Sequence, residues 1–259
     1  MSPIYSKSVR MLMRDMVSDF GLKPGEIITR ERVRNWFMQK YPLIKEGTVS
    51  AHLILMSTNA PSRIHHSPKA DPDDLFFRID PSHFRLYELG KDPQPIGTGS
   101  DNGNSYKSDN SETPVEAAED QEDNESVSEF AYERDLRNFL SKNLGIIEPG
   151  LRLYEEEGIT GVEFPAGGRF IDILGIDKEN RYTVIELKVS RGYDRVVGQI
   201  LRYMTWIKRN QAEAGQAVRG VIIAREISKD LILACADQPN VQLFEYGLSV
   251  SLKRVGVTD

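Results

Sequence analysis

The stretch "GRFIDILGIDKENRYTVIELKVS", residues 168–190, reads as two strand-like runs around a turn at Lys178-Glu179-Asn180. Side chains alternate across a strand, so Phe170, Asp172 and Leu174 share a face of the first run, and Val184, Glu186 and Lys188 share a face of the second. Across a hairpin these faces meet, and three charged groups then stand where strands usually bury Ile and Leu. An inward carboxylate or ammonium is costly unless it is paired or bound to a metal. Two neighbouring carboxylates also repel and raise each other's pKa unless a divalent cation lies between them. Mg²⁺ suits such a pair, because it takes oxygen ligands, keeps several waters, and is often held by one or two carboxylates plus a phosphate. Lys188 can orient or deprotonate an attacking water and balance charge developing on a phosphate. Metal-assisted phosphodiester hydrolysis is the chemistry this arrangement favours, with Mg²⁺ expected and Mn²⁺ able to substitute.

The flanking sequence fits a mixed α/β layer. Upstream, "SEFAYERDLRNFLSKNL" has helical spacing, with Phe130, Leu136, Phe139 and Leu140 on one side and Glu133 near its start. "GVEF" then leads into a turn at Gly167-Gly168, making a three-stranded meander with the two charged runs. Downstream, "YDRVVGQILRYMTWIKRN" is a helix on which Arg195, Gln199 and Tyr203 recur every fourth residue. "RGVIIAR" reads as a buried strand, "SKDLILACAD" as a helix, and "VQLFEYG" and "LSVSLKR" as closing strands. Residues 129–259 are therefore expected to form one catalytic domain.

An E-x-K triplet alone is weak, since such triplets occur on many exposed strands. Asp172 in the preceding strand and the Gln199-x-x-x-Tyr203 helix make the pattern far more specific. Together they resemble the PD-(D/E)xK nuclease core, and residues 168–207 are similar in particular to the NucS/EndoMS endonucleases. The resemblance implies a restriction-endonuclease-like sheet flanked by helices. It makes Asp172 and Glu186 metal ligands assisted by the Leu187 carbonyl, Lys188 the catalytic lysine, Gln199 a neighbour of the site, and Glu133 the family's additional acidic residue. Arg169, beside the Asp172 strand, suits either a phosphate or a structural ion pair; Arg195 and Tyr203 join it as candidate DNA contacts. Mismatch-cleaving members of the family have a strand-rich N-terminal domain, which this N-terminus does not resemble.

The chain has 259 residues, 39% hydrophobic, with a net charge of -6. That charge is uneven. Residues 98–129 hold ten Asp or Glu and one Lys, so the rest of the chain carries a net +3. With almost no apolar residues, the segment 96–128 is expected to be a disordered acidic linker. One cysteine, Cys235, excludes a disulfide framework and a Cys-rich zinc site. All four histidines precede the linker, which excludes histidine catalysis in the second domain. There is no membrane-length apolar run, and charges occupy the N-terminus where a signal peptide needs an apolar core; a soluble intracellular protein is expected.

Residues 1–95 carry the basic excess. "SKSVRMLMRDMVSDFG" is an amphipathic helix closed by Gly21, and "TRERVRNWFMQKYP" is a second, N-capped by Thr29. "GTVSAHLILMSTNA" is a third, followed by strand-like "DLFFRID" and "HFRLYEL" in a hairpin. Three helices and a hairpin make the winged helix-turn-helix plan, in which the third helix enters the major groove. Thr48, Ser50, His52 and Asn59, with Arg63 beyond, are then candidate DNA-reading residues; the alternative is a small helical domain that binds protein. The module also resembles those of restriction-type endonucleases. The expected protein is thus a homodimeric DNA endonuclease of restriction or defence type whose first domain selects the target. A repair nuclease is the alternative, and a DNA-binding regulator on an inactive nuclease fold a third.

Overall fold

A computed structural model describes residues 5–97, 127–188 and 194–247. Most of the expected acidic linker, the 189–193 loop and the "LSVSLKR" strand lie outside the described residues.

The first part contains helices α1 (Val9–Phe20), α2 (Arg30–Lys40) and α3 (Glu46–Leu55), then strands β2 (Phe76–Arg78) and β3 (His83–Leu86). A two-residue strand, β1 (Ile28–Thr29), which is too short to leave a periodic signal, pairs with β3 and completes a sheet of order β1-β3-β2. The expected caps are in place. Gly21 closes α1 in the left-handed region with φ 58°, and the Thr29 side chain accepts from the Arg32 N–H at the start of α2. Helix α3 ends at Leu55, earlier than its sequence pattern implied, and a 3₁₀ turn follows over Pro61–His66.

The second part opens with α4 (Val127–Lys142) and the short strands β4 (Arg152–Leu153), β5 (Glu155–Glu156) and β6 (Ile159–Thr160). Then come β7 (Val162–Ala166), β8 (Arg169–Ile176), β9 (Tyr182–Lys188), α5 (Asp194–Asn210), β10 (Val218–Ala224), α6 (Lys229–Cys235) and β11 (Val241–Glu245). Strands β4 and β7 both pair antiparallel with β8, which is antiparallel to β9; β9, β10 and β11 run parallel. This is the mixed sheet flanked by helices that the charged strands implied. Strands β9 and β10 are buried almost throughout, as parallel strands covered on both faces must be. Val196, Ile200, Tyr203 and Ile207 form the buried stripe of α5. The Gly167-Gly168 turn joins β7 to β8 with φ of 61° and 86°, the left-handed pair that a two-residue hairpin needs and that glycine adopts most readily.

The sequence implied two modules on a flexible tether. Instead they share one core. Apolar residues of α1, α2 and α3 cluster with Tyr154, Ile159, Phe164 and the α5 stripe in a single buried group. Helix α3 lies against β6, β7 and α5. The approach is so close that a Cβ on Gly47 would come within 2.1 Å of the Gln211 side-chain oxygen and 3.4 Å of the Phe164 ring.

Candidate active site

The three strands β7, β8 and β9 are in register. Ile173 pairs with Ile185 and Leu174 with Val184, so the next step along the hairpin sets Asp172 opposite Glu186. On the other side, Val162 pairs with Ile173 and Phe164 with Ile171, which sets Glu163 between them opposite Asp172. A ladder of three acidic residues thus crosses three neighbouring strands.

Each member is held by contacts from its surroundings. The Leu187 N–H donates to Asp172 Oδ2 at 2.8 Å. Gln199, from α5, donates through Nε2 to Glu186 Oε1, and Lys188 Nζ lies 3.4 Å from the same oxygen. Arg137, from α4, places Nη2 2.5 Å from Glu163 Oε1 and Nη1 3.8 Å from Asp172 Oδ1. The Tyr203 hydroxyl donates to the Phe170 carbonyl at 2.7 Å, fixing α5 against the strand that carries Asp172.

Burial, and then the nearby Asp172, push Glu186 well above the usual carboxylate range. Burial also raises Asp172, although the Leu187 N–H, Lys188 and Arg137 all favour its charged form. Burial opposes the charge on Lys188, but Glu186, Asp172 and Glu133 together outweigh it and leave the lysine above its ordinary value. Glu133 acts electrostatically on both, raising Lys188 and Glu186.

These residues fit a hard divalent cation. Glu186 Oε2 is buried and, among the described residues, has no hydrogen-bond partner. Such an atom in a 2% exposed side chain next to another carboxylate calls for a cation. The donors are oxygens, which favours Mg²⁺ or Mn²⁺ over softer metals. Among the described residues no group of three His, Cys, Asp or Glu gathers in metal-binding geometry, so protein carboxylates alone would leave several coordination positions for water or substrate.

The residues expected to read DNA are placed differently. Thr48, Ser50, His52 and Arg63 are buried at the junction of the two parts, and cannot enter a DNA groove from there. Thr48 donates to Glu156 at 2.9 Å and also accepts from Gln211. His52 Nδ1 meets the Thr48 carbonyl, and Arg63 pairs with Asp74. Asn59 is occupied at both ends, donating to the Arg78 carbonyl and accepting from the Arg78 N–H. Tyr203 is 1% exposed and bonded to backbone, which makes it structural. Arg169 and Arg195 are exposed. The sequence carried a sign of this outcome, because α3 has no charged residue after Glu46, and a helix without a polar face belongs in a core.

Two residues at the centre, Arg137 and Glu163, were not expected. Glu163 was within reach of sequence reasoning, since a two-residue turn at Gly167-Gly168 mirrors it onto Asp172. Arg137 lies four residues after Glu133, on the same side of α4.

Residues 132–244 match the Endonuclease NucS C-terminal domain. This NucS-like span contains Glu133, Asp172, Glu186, Lys188 and Gln199, and it bears out the resemblance carried by the charged strands. The chain is 32% identical over 99 residues to Endonuclease NucS from Methanopyrus kandleri, covering 38% of this chain and 35% of that protein. It is 30% identical over 107 residues to Endonuclease NucS from Methanocaldococcus jannaschii, covering 41% and 38%. The chain thus spans little more than a third of the length of these relatives. A crystal structure of a repair endonuclease from Pyrococcus abyssi aligns with TM-score 0.36 and 26% identity, over 50% of this chain and 49% of that one. Residues 8–86 match a domain of unknown function, DUF7669. No helix among the described residues is long and apolar enough to cross a membrane.

Proposed function

We propose that this protein is a metal-dependent DNA endonuclease of the repair kind, cutting phosphodiester bonds at the Asp172, Glu186 and Lys188 centre. The observation that carries the reading is the juxtaposition of Asp172 with the buried, half-unpartnered Glu186 carboxylate, beside a charged lysine, within the NucS-like span. Asp172 and Glu186 would hold the cation, with the Leu187 carbonyl assisting. When bound, Mg²⁺ or Mn²⁺ supplies Lewis acidity at the scissile phosphate. Lys188, kept charged by its carboxylate neighbours, orients the attacking water and offsets negative charge developing on the phosphate. Gln199 holds Glu186 in place through its amide.

Two observations support the repair reading over the restriction reading. The relatives over this span are named as NucS endonucleases, and the helix that was to select a restriction target is buried. Cutting both strands of a duplex requires two such centres, so a pair of copies is proposed for double-strand cleavage.

The test is incubation of the full chain with Mg²⁺ or Mn²⁺ and matched, mismatched, cytosine-methylated and unmodified phage duplexes, with Lys188→Ala as control. The repair reading predicts selective cleavage of the mismatched duplex, absent in the control. Cleavage confined to the phage or methylated duplex would return the restriction reading. Binding without cleavage on all four would support a regulator.

A further inference from the structure

Glu163 belongs to no part of the chemistry above, yet it stands in the ladder next to Asp172 and holds Arg137, which reaches the site from α4. Its backbone lies in the left-handed region with φ 47°, which residues other than glycine seldom adopt. One carboxylate oxygen takes Arg137 Nη2 at 2.5 Å, and the other lies 3.7 Å from His65 Nε2, on the 3₁₀ turn of the first part. The neighbouring Thr160 ties that turn down, donating from Oγ1 to the His65 carbonyl at 2.8 Å. Arg137 is mostly buried, and its Nε has no partner among the described residues. Such a cation seeks any carboxylate within reach, and two are available. The geometry shows which it takes, 2.5 Å to Glu163 against 3.8 Å to Asp172.

We infer that Glu163 is a positioning residue that draws Arg137 away from Asp172, so that the Asp172 carboxylate stays free for a divalent cation. The inference rests on the reading of Asp172 and Glu186 as a cation site. Without the Glu163 charge, Arg137 would close the gap to Asp172 and occupy it as an internal counter-ion, competing with the metal. His65 stands 3.7 Å from Glu163, so the DUF7669-like first part packs against this positioning residue.

The inference predicts opposite effects for two neighbouring substitutions, read as Mn²⁺ binding to the full chain by titration calorimetry, with no nucleic acid present. Glu163→Gln weakens binding by about tenfold or more, the range seen when a metal ligand loses its supporting contact. Arg137→Met leaves binding as tight as in the wild type or tighter. In the double variant, Glu163→Gln with Arg137→Met, binding returns to the wild-type range, because the competitor has gone. Glu163→Gln binding like the wild type, a double variant as weak as Glu163→Gln alone, or a loss of binding in Arg137→Met would each overturn the inference. If Glu163→Gln does not fold, Arg137→Met alone decides it. Asp172→Asn serves as the control for the cation site. Failure of the wild type itself to bind Mn²⁺ would sink the cation site of the proposed function, and this inference with it.

Discussion

The ladder across β7, β8 and β9 gathers like charges, Glu163, Asp172 and Glu186, and leaves one buried oxygen of Glu186 without a partner. The surroundings of α3 bury polar groups too, but in complementary pairs: Thr48 with Glu156, Arg63 with Asp74, Arg10 with Asp73. Arg63, Arg10 and Asp73 each keep buried polar atoms without a hydrogen-bond partner among the described residues, but their opposite charges offset one another and call for no ion from outside. Like charges in a low dielectric are costly, and they are retained where a ligand of opposite charge completes them. Both regions look alike in sequence, as polar residues in apolar runs, and they differ in what faces them.

The sharpest way to separate the two is to remove one charge from each and compare activity. Lys188→Ala is expected to lower DNA cleavage by a factor of about 10³ or more while leaving the melting temperature near that of the wild type. The same assay on Arg63→Met is expected to show loss of stability, with activity falling only as the folded fraction falls. Lys188→Ala with near-normal cleavage would break the comparison at the ladder.

A second test concerns whether the parts are separable. With residues 1–97 deleted, Phe164, Ile159 and Tyr154 lose the helices that cover them. The fragment is expected to aggregate or to melt well below the full chain in calorimetry. A fragment as stable as the whole would restore the picture of two tethered modules.

Acid should act on the α3 side. Burial, followed by the charges of His65 and His52, holds His66 down at about 3, and burial aided by Arg10 holds His52 at about 4, both against an ordinary 6.5. The Thr160 N–H donates to His66 Nδ1 at 3.3 Å, so that nitrogen serves as an acceptor and the ring is neutral. A depressed folded-state pKa means that the stabilisation is complete above pH 6.5 and is lost as pH falls toward 4. Each histidine is expected to cost about 2 kcal/mol of stability at pH 5. Melting temperatures at pH 7.5 and pH 5 check this, and His66→Gln, which keeps an acceptor but takes no proton, should narrow the difference. An equal drop in that variant would contradict it.

The smallest effect is expected from Thr48→Val, which removes the hydroxyl that Glu156 and Gln211 share. A loss of about 1–2 kcal/mol in urea unfolding is expected, with cleavage per folded molecule unchanged. A change in substrate preference would instead return Thr48 to target reading.

Much of this was legible in the sequence. Asp172 facing Glu186 and Lys188 follows from alternation along two strands and from the position of one turn. The caps of α1 and α2 follow from Gly21 and Thr29. Strand β1 was not legible, because two residues carry no period, and the docking of α3 was not, because a pair such as Thr48 with Glu156, 108 residues apart, leaves no local trace. The missing charge on α3 is visible in the sequence, but the order of the elements, three helices then a hairpin, is one that a DNA-reading module and a docked module share. Arg137 was hidden by its helix, where it resembles any surface arginine until β7 is placed beneath it.

If like charges are gathered here for function at the expense of stability, Glu186→Gln separates the two. Cleavage of a mismatched duplex with Mn²⁺, and the melting temperature of the same preparation without metal, should move in opposite directions. Cleavage is predicted to vanish while the melting temperature rises by about 2–4 °C, as a carboxyl that burial and Asp172 hold well above its ordinary range is replaced by an amide that does not titrate. Cleavage that persists, or a melting temperature that falls along with it, would contradict the account.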